Sequence, residues 1–206
     1  EDADVTFRLY KKFIKNLKTE KMINIYEIFE KPLIKILAFM EIEGVEINSK
    51  FLKSLSSKFE KKILKLEKDI FKISKKEFNI ASPKQLGEII YNDLRIAGLK
   101  KTKKGSFATS ASVLEDLAFK GHMFPKLILD WRQVSKLKNT YSDALPEHIN
   151  PKTQRVHTSF LLAATTTGRL ASSDPNLQNI PIKSEDGKDI RKAFTAKKDH
   201  LLISAD

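Results

Sequence analysis

Apolar residues recur every three or four positions along most of the chain, which is the spacing of one face of an α-helix. A short amphipathic helix is predicted over residues 1–19, with acidic residues in its first turn. A second helix is predicted over 22–43, and Pro32 interrupts its wide apolar face once. We interpret that second face as core. Gly44 is expected to end the helix, because glycine tolerates the backbone turn that helix ends often require.

Two long helices are predicted in the middle of the chain. Asn48 is a suitable N-cap for the first, which runs to about Ile73 with an apolar seam that steps by three and four residues. Such a seam is typical of a helix that packs against one partner helix. The second is predicted from Phe124 to Leu145. Trp131 falls in its apolar phase, which favours a core anchor over a platform for base stacking.

The segment between the two long helices is predicted to contain shorter ones. A capping box at Ser82 opens a helix predicted over 83–96. A basic loop is predicted over 100–106, where lysines alternate with small polar residues. The next helix begins at Ser110 or at Ser112, because both are suitable N-cap residues.

Strand patterns replace helical ones near the C-terminus. Residues 155–164 alternate well enough for a strand, 190–196 are strand-like, and 201–205 form a continuous apolar run that is typical of a buried strand. Asp206 follows that run. A carboxylate at the exit of a buried strand is well placed to bind a metal ion, although a terminal Asp is more often simply solvated. The predicted fold class is mainly α with a small antiparallel β portion (α+β).

The net charge of +12 and the pI of about 9.6 indicate a polyanionic partner, most simply nucleic acid. Ten lysines and three acidic residues between 50 and 76 supply +7 of this charge. A solvated helix face in a lysine-rich protein and a surface that attracts phosphate both explain that segment.

The absence of cysteine excludes disulfides, thiolate zinc sites and a Cys nucleophile, and no apolar run reaches the ~20 residues of a membrane helix. His157 has no evident acidic partner and is predicted to be structural.

The densest polar stretch of the chain covers 165–181. Gly168 permits a tight turn, and two prolines stiffen a segment that cannot be a helix or a central strand. Asn176, Gln178 and Asn179 add neutral donors and acceptors. Side chains of this kind suit the phosphates, sugars and minor-groove edges of a duplex, where contacts position a partner without reading its sequence.

This stretch also carries a resemblance to a known family. The run Thr-Gly-Arg-Leu-x-Ser-x-Asp-Pro-Asn-Leu-Gln-Asn-Ile-Pro, then Gly-x-x-Ile-Arg-x-Ala-Phe, then an apolar strand into Ser-Ala-Asp, resembles the palm entry of family A DNA polymerases, the bacterial DNA polymerase I type. The resemblance covers almost the whole chain but less than half of a polymerase module. It implies the end of an exonuclease-like domain over 1–20, a palm-entry helix over 21–48, a helical thumb of two long antiparallel helices over 49–150, and a partial palm sheet over 151–206.

The resemblance implies a DNA-directed DNA polymerase that transfers nucleotides in DNA replication and repair. Its partners would be primer–template duplex DNA and deoxynucleoside triphosphates, its cofactor two Mg²⁺ ions, and its state a monomer in the bacterial cytoplasm, near the nucleoid. Asp206 matches the first catalytic carboxylate and metal ligand. The chain begins without Met and holds only one of the two expected carboxylates, so we expect the 206 residues alone to be inactive. The alternative is a non-catalytic module that binds primer–template duplex.

The resemblance also assigns roles to individual positions of this sequence. Arg169 matches a residue that reaches the minor groove at the primer terminus and approaches the incoming sugar, and Lys183 matches a residue near the triphosphate. Asp2 matches a metal ligand of the exonuclease, which cannot act without the other carboxylates of that site. The remaining implied DNA contacts are Thr165, Asn176, Gln178, Asn179, Arg132, Lys136, Asn139 and Thr140.

Overall fold

The computed structural model describes residues 1–96 and 107–203. The chain divides into two compact units, of which the first contains Glu1–Glu46 and His148–Asn179 and the second contains Ile47–Glu147 and the chain from Ile180 onwards. The described residues are mostly helical with two small antiparallel sheets, which confirms the predicted α+β class. The four-part division made from the sequence stays a prediction. Within the described ranges, no helix is long and apolar enough to cross a membrane.

The first unit begins with two helices joined by a short connection. Helix α1 spans Asp2–Thr19 and α3 spans Lys31–Glu43; between them lie the single turn α2 (Ile23–Ile25) and a π-helical segment (Tyr26–Glu30). Pro32 falls in the first turn of α3, where its missing N–H is tolerated. Gly44 ends α3 with a φ of 62°, as predicted.

The interpretation of the 22–43 face as core is wrong for most of its residues. Leu37 is the buried residue of α3, whereas Ile28, Phe29 and Ile36 are each more than half exposed. A periodic pattern predicts that a helix has an apolar face, but burial of that face requires a second element to cover it. Among the residues of α2, the π-helical segment and α3, only Leu37 is fully covered in this way.

The first unit also contains a small sheet. Strand β2 (Ser159–Leu161) pairs antiparallel with β3 (Ala171–Ser173), and Phe160 lies opposite Ser172. The strand predicted over 155–164 is therefore shorter than expected. Val156 instead forms isolated bridges to Val45 and Ile149, which hold the segment before β2 in place.

The second unit is organised around two long antiparallel helices. Helix α4 (Ser49–Ser74) begins at Asn48, whose side chain accepts a 3.0 Å hydrogen bond from the Phe51 backbone. Helix α7 (Met123–Leu137) continues as a π-helical segment (Lys138–Asp143) and then as α8 (Ala144–Glu147). Three contacts show that α4 and the α7–α8 stretch are antiparallel. As the residue number rises along α4, the number of its partner falls. The contacts join Ser56 to Asp143, Glu60 to Lys138, and Glu67 to Trp131.

Short helices pack against one end of this pair. They are α5 (Pro83–Glu88), extended by a π-helical segment (Ile89–Asp93), and α6 (Ala111–Phe119). Their buried side chains form one cluster with Ile70 of α4 and with Phe124 and Ile128 of α7. Trp131 packs against this cluster and donates to Glu67 at 3.1 Å, so its prediction as a core anchor is confirmed. The predicted basic loop over 100–106 lies outside the described residues.

The last part of the chain differs from the prediction in two places. Residues 190–196 were expected as a strand, but helix α9 spans Glu185–Arg191 and only Phe194–Thr195 form a strand, β4, which pairs with β1 (Glu46–Ile47). The Ser184 hydroxyl caps α9 by accepting from Gly187, and acidic residues fill its first turn, so local capping favours a helix.

The second difference concerns the buried strand predicted over 201–205, of which the structure describes residues 201–203. Leu201, Leu202 and Ile203 are non-helical, unpaired with any strand among the described residues, and 88%, 65% and 90% exposed. A strand requires a hydrogen-bonding neighbour, and the described strands pair only as β1 with β4 and as β2 with β3. Asp206, at the end of this segment, lies outside the described residues.

Candidate nucleic-acid interface

In the first unit, half of the polar residues of the 165–181 stretch line one open cavity. We call it the Arg169 cavity. It is lined by Thr165, Arg169, Leu170, Ala171, Asn176, Gln178 and Asn179. The side chains of Arg169, Gln178 and Asn179 are exposed, so a ligand can reach them from solvent. All five first-unit residues that the sequence predicted as DNA contacts therefore meet at one place.

A tight turn between β2 and β3 presents Arg169 to this cavity. Gly168 has a φ of 72°, which confirms the turn predicted from the sequence. The Thr165 hydroxyl crosses the turn and donates to the Arg169 carbonyl at 2.9 Å. Thr165 thus holds the backbone of Arg169 while the guanidinium group extends outwards.

Asn176 has an internal role that the sequence did not indicate. Its side-chain oxygen accepts hydrogen bonds from the backbone N–H groups of Gln178, at 3.0 Å, and Asn179, at 3.2 Å. This is an Asx turn, in which a side-chain oxygen replaces a backbone acceptor. The amide oxygen of Asn176 therefore shapes the loop that carries Gln178 and Asn179, and its predicted DNA contact stays a prediction.

Two further residues that sequence reasoning missed support the same loop. The Thr158 hydroxyl donates to the carbonyl groups of Ser173, at 3.1 Å, and Pro175, at 2.8 Å. The Ser172 hydroxyl accepts from the Leu177 N–H at 3.1 Å. Nothing in the local sequence marked these two residues, because Ser and Thr side chains are more often exposed than buried.

The second unit contains a groove on one side of α7, which we call the Arg132 groove. It is lined by Ala81, Pro83, Thr109, Ser110, Trp131, Arg132, Ser135, Lys136 and Asn139. Arg132 donates to the Thr109 carbonyl at 2.7 Å, and partial burial lowers the pKa of its guanidinium group. Lys136 and Asn139 are exposed at the groove, whereas the exposed Thr140 does not line it.

The π-helical segment that carries Asn139 and Thr140 is anchored to α4 by an ionic network. Asp143 accepts from the Ser56 hydroxyl at 2.6 Å and from Lys138 at 2.8 Å, and Lys138 also pairs with Glu60 at 3.1 Å. Burial acts to raise the pKa of Asp143, but the hydrogen bonds from Lys138 and Ser56 outweigh it and the pKa is lowered. The hydrogen bonds of Lys138 to Asp143 and Glu60 raise its own pKa. Asp143 and Lys138 are thus stabilised in their charged forms, and their bonds hold the π-helical segment against α4.

Part of the positive charge of α4 is used within the fold. Lys58 pairs with Asp189 of α9 at 2.8 Å, and Lys62 pairs with Asp186 of the same helix. The hydrogen bonds from Lys192 and Lys58 lower the pKa of Asp189 to about 2. A solvated face and attraction of phosphate are therefore not the only roles of the lysine-rich segment. Two of its lysines attach α9 to α4.

The other predicted site residues lie apart from these two surfaces. Asp2 is exposed at the start of α1, and Lys183 is exposed just before α9 in the second unit. Among the residues that the structure describes, no three His, Asp or Glu side chains are close enough to share a metal ion. Asp206 lies outside those residues, so its metal role stays a prediction. His157 is structural, as predicted, because its ring nitrogens lie 2.7 Å from the Glu41 carbonyl and 2.7 Å from the Thr153 hydroxyl.

Comparisons with known proteins agree on one family. The model of DNA polymerase family A matches residues 49–206. DNA polymerase I of Rhizobium leguminosarum is 49% identical over 206 residues, which are all of this chain and 20% of that protein. The thermostable DNA polymerase I of Thermus thermophilus is 43% identical over 201 residues, which are 97% of this chain and 24% of that protein.

A solved structure agrees as well. It is the POL domain of Pol1 from M. smegmatis in complex with DNA primer-template and dNTP, and it matches at a TM-score of 0.80 with 34% sequence identity, over 89% of this chain and 32% of that chain. The chain thus spans only 20% to 24% of the two relatives' lengths. The match of sequence and of fold leads to one conclusion: this chain belongs to DNA polymerase family A.

Proposed function

We propose that this chain is the duplex-holding part of a DNA-directed DNA polymerase that acts in DNA replication and repair. One observation carries the proposal: Thr165, Arg169, Gln178 and Asn179 share a single open cavity. The M. smegmatis structure, which contains DNA primer-template and dNTP, supports the choice of these partners.

In this proposal the Arg169 cavity holds the minor groove at the primer terminus. The planar guanidinium group of Arg169 has several N–H donors, and the minor groove offers acceptors at equivalent places in every base pair. Gln178 and Asn179 can each donate and accept. Such contacts recognise the shape of a correct pair and not its identity, as a template-directed enzyme requires. Ala171 also lines the cavity, and its side chain has no polar group to add.

The Arg132 groove holds the sugar–phosphate backbone in the same proposal. Arg132 and Lys136 supply positive charge, and Asn139 supplies a neutral donor and acceptor. The contact of Arg132 with the Thr109 carbonyl fixes the direction of its side chain before DNA binds. Phosphate contacts of this kind contribute affinity that decreases as salt increases.

The reaction is attack of the primer 3′-hydroxyl on the α-phosphorus of a deoxynucleoside triphosphate, with release of pyrophosphate. Two divalent ions, which we propose to be Mg²⁺, would favour loss of the hydroxyl proton and neutralise the leaving group when bound. Asp206 is proposed as one of their ligands, and Lys183 as a residue that attracts the triphosphate. Both roles rest on the resemblance of the sequence to the family.

The test is single-nucleotide incorporation by the native protein, with Arg169→Ala and Arg169→Lys beside it. We expect Arg169→Ala to lower kcat/KM by about tenfold to a hundredfold, because a bidentate contact in a groove contributes roughly 1–3 kcal/mol. Arg169→Lys should recover only part of this loss, since a lysine keeps the charge but not the planar fork.

Arg8→Ala is the matched control, because Arg8 is an exposed arginine of α1 that pairs with Asp4 on its own helix. It should leave incorporation unchanged. Absence of templated incorporation, together with equal binding of primer–template and blunt duplex, would overturn the proposal. Selective binding of primer–template without incorporation would instead establish the non-catalytic duplex-binding module.

A further inference from the structure

Two buried hydroxyl groups support the loop that carries Gln178 and Asn179. Thr158 is 7% exposed and Ser172 is 4% exposed, and neither lines the Arg169 cavity. Their side chains therefore cannot contact a ligand held there. Both side chains instead form hydrogen bonds to backbone groups of the loop, through which they can act on a ligand in that cavity.

Thr158 binds the first half of the loop. Its hydroxyl hydrogen is shared between the carbonyl oxygens of Ser173, the last residue of β3, and Pro175, two residues further on. This bond ties the end of β3 and the start of the loop to the residue that precedes β2. The pairing of Ser159 with Ser173 continues the same connection into the sheet.

Ser172 binds the second half of the loop. Its hydroxyl accepts from the Leu177 N–H at 3.1 Å and lies 3.5 Å from the amide oxygen of Asn176. Asn176 in turn accepts from the two backbone N–H groups that follow Leu177, so Ser172 acts on the turn that directs the cavity side chains. Because Ser172 is in β3, its position is set by the strand register and not by the loop.

We propose that Thr158 and Ser172 are positioning residues that set the orientation of Gln178 and Asn179. A carbonyl or N–H that loses such a partner has to find another one, because an unpaired buried polar group is costly. The loop then shifts, and the two cavity side chains shift with it. This inference rests on the proposed function, in which Gln178 and Asn179 hold the primer–template terminus.

The first experiment compares matched substitutions of Thr158 in the native protein. Thr158→Val removes the hydroxyl and keeps the shape, whereas Thr158→Ser keeps the hydroxyl and removes a methyl group. We expect Thr158→Val to weaken primer–template binding about three- to tenfold, the effect of one lost hydrogen bond, and Thr158→Ser to bind nearly as the native protein does. Thermal unfolding of each variant confirms that binding is measured on folded protein.

Ser172 provides an independent pair of variants, which also covers the case in which Thr158→Val does not fold. Ser172→Ala removes the acceptor for Leu177. Ser173→Ala is its control, because consecutive side chains of a strand point to opposite faces. Ser172→Ala should weaken binding by a similar factor, and Ser173→Ala should not.

A double-mutant cycle separates positioning from a general loss of stability. In the background Gln178→Ala plus Asn179→Ala, Thr158→Val should cause no further loss of binding, because the side chains that it positions are gone. An equal loss in both backgrounds, or equal effects of Val and Ser at 158, would overturn the inference while leaving the proposed function intact. Primer–template binding that is unchanged by the double alanine substitution itself would also overturn the inference, because Gln178 and Asn179 would then hold no ligand; the proposed function is tested separately, by nucleotide incorporation.

Discussion

Lys58 of α4 and Asp189 of α9 form a 2.8 Å ion pair that attaches the short C-terminal helix to the first long helix of the second unit. Asp189 also pairs with Lys192 at 2.7 Å, and its own side chain is only 20% exposed. The two hydrogen bonds stabilise the carboxylate over the neutral acid, which is why its pKa falls to about 2.

The first prediction concerns stability at acidic pH. The pKa of Asp189 is lower in the folded chain than the ordinary value of 3.8. The ionised side chain therefore contributes fully to the free energy of unfolding above pH 3.8, and this contribution is lost as the pH falls through about 2. Asp189→Asn should lower the free energy of unfolding by about 1 kcal/mol or less at pH 6, since its lysine partners are exposed. Near pH 2 most of this difference in stability between the variant and the native protein should be gone.

Thermal unfolding from pH 2 to pH 7 measures this convergence. Glu185→Gln is the control, because the pair of Glu185 with Lys188 has an 87% exposed carboxylate. A destabilisation by Asp189→Asn that stays constant over the whole pH range would contradict the assignment.

The second prediction concerns the anchor of the π-helical segment. Ser56→Ala removes the 2.6 Å hydrogen bond to Asp143 and should lower the free energy of unfolding by about 1 kcal/mol. A hydrogen bond to a charged group stabilises more than one between neutral groups, but the partial exposure of this carboxylate reduces the gain. Ser57→Ala is the control, since the Ser57 hydroxyl bonds only locally, to the Lys53 carbonyl. Denaturant unfolding of both variants makes the comparison, and equal midpoints would refute it.

The third prediction concerns the end of α3. A Cβ on Gly44 would lie 2.6 Å from the Val156 carbonyl oxygen and 2.7 Å from the His157 ring, at a φ of 62°. Gly44→Ala should therefore destabilise the protein by at least about 2 kcal/mol, from steric overlap added to backbone strain. Gly121→Ala shares the positive φ but meets open space, so it should cost about half as much in thermal or denaturant unfolding. Equal losses would show that overlap contributes nothing.

The fourth prediction concerns phosphate contact in the Arg132 groove. Lys136→Gln should weaken binding to all duplexes alike and reduce the slope of log K against log salt by about one, as expected when a single phosphate contact is lost. Lys12→Gln makes the same change of charge on the exposed face of α1 and should keep the slope. Fluorescence anisotropy at several salt concentrations measures both, and identical slopes for the two variants would exclude a specific contact of Lys136.

The fifth prediction concerns Asp206. If it holds the divalent ions, Asp206→Asn should abolish nucleotide incorporation by the native protein and leave primer–template binding nearly unchanged. Incorporation and binding are measured on the same preparation. Substantial incorporation by the variant would exclude the proposed role.

Short-range features of this protein could be predicted from its sequence. Asn48 and Ser82 do cap helices, most of the apolar seam of α4 is buried, and Gly44 and Gly168 adopt positive φ where turns were expected. These features depend on residues within one or two turns of each other, so the local sequence contains the interactions that decide them. The polar run at 165–181 was found in the same way, because its residue types and spacing are themselves the signal.

Only the tertiary structure decided which apolar faces are buried and which polar groups form hydrogen bonds with each other. The apolar face over 22–43 is mostly exposed, and Leu201–Ile203 form no strand, because burial and strand pairing depend on elements distant in sequence. The same holds for the supports of the candidate site, such as the bond from Thr158 to Pro175. The sequence by itself determined the helices, the turns and the set of polar candidates, since these follow from local chemistry. Three-dimensional packing decided which of those candidates can face a ligand and which hold others in place.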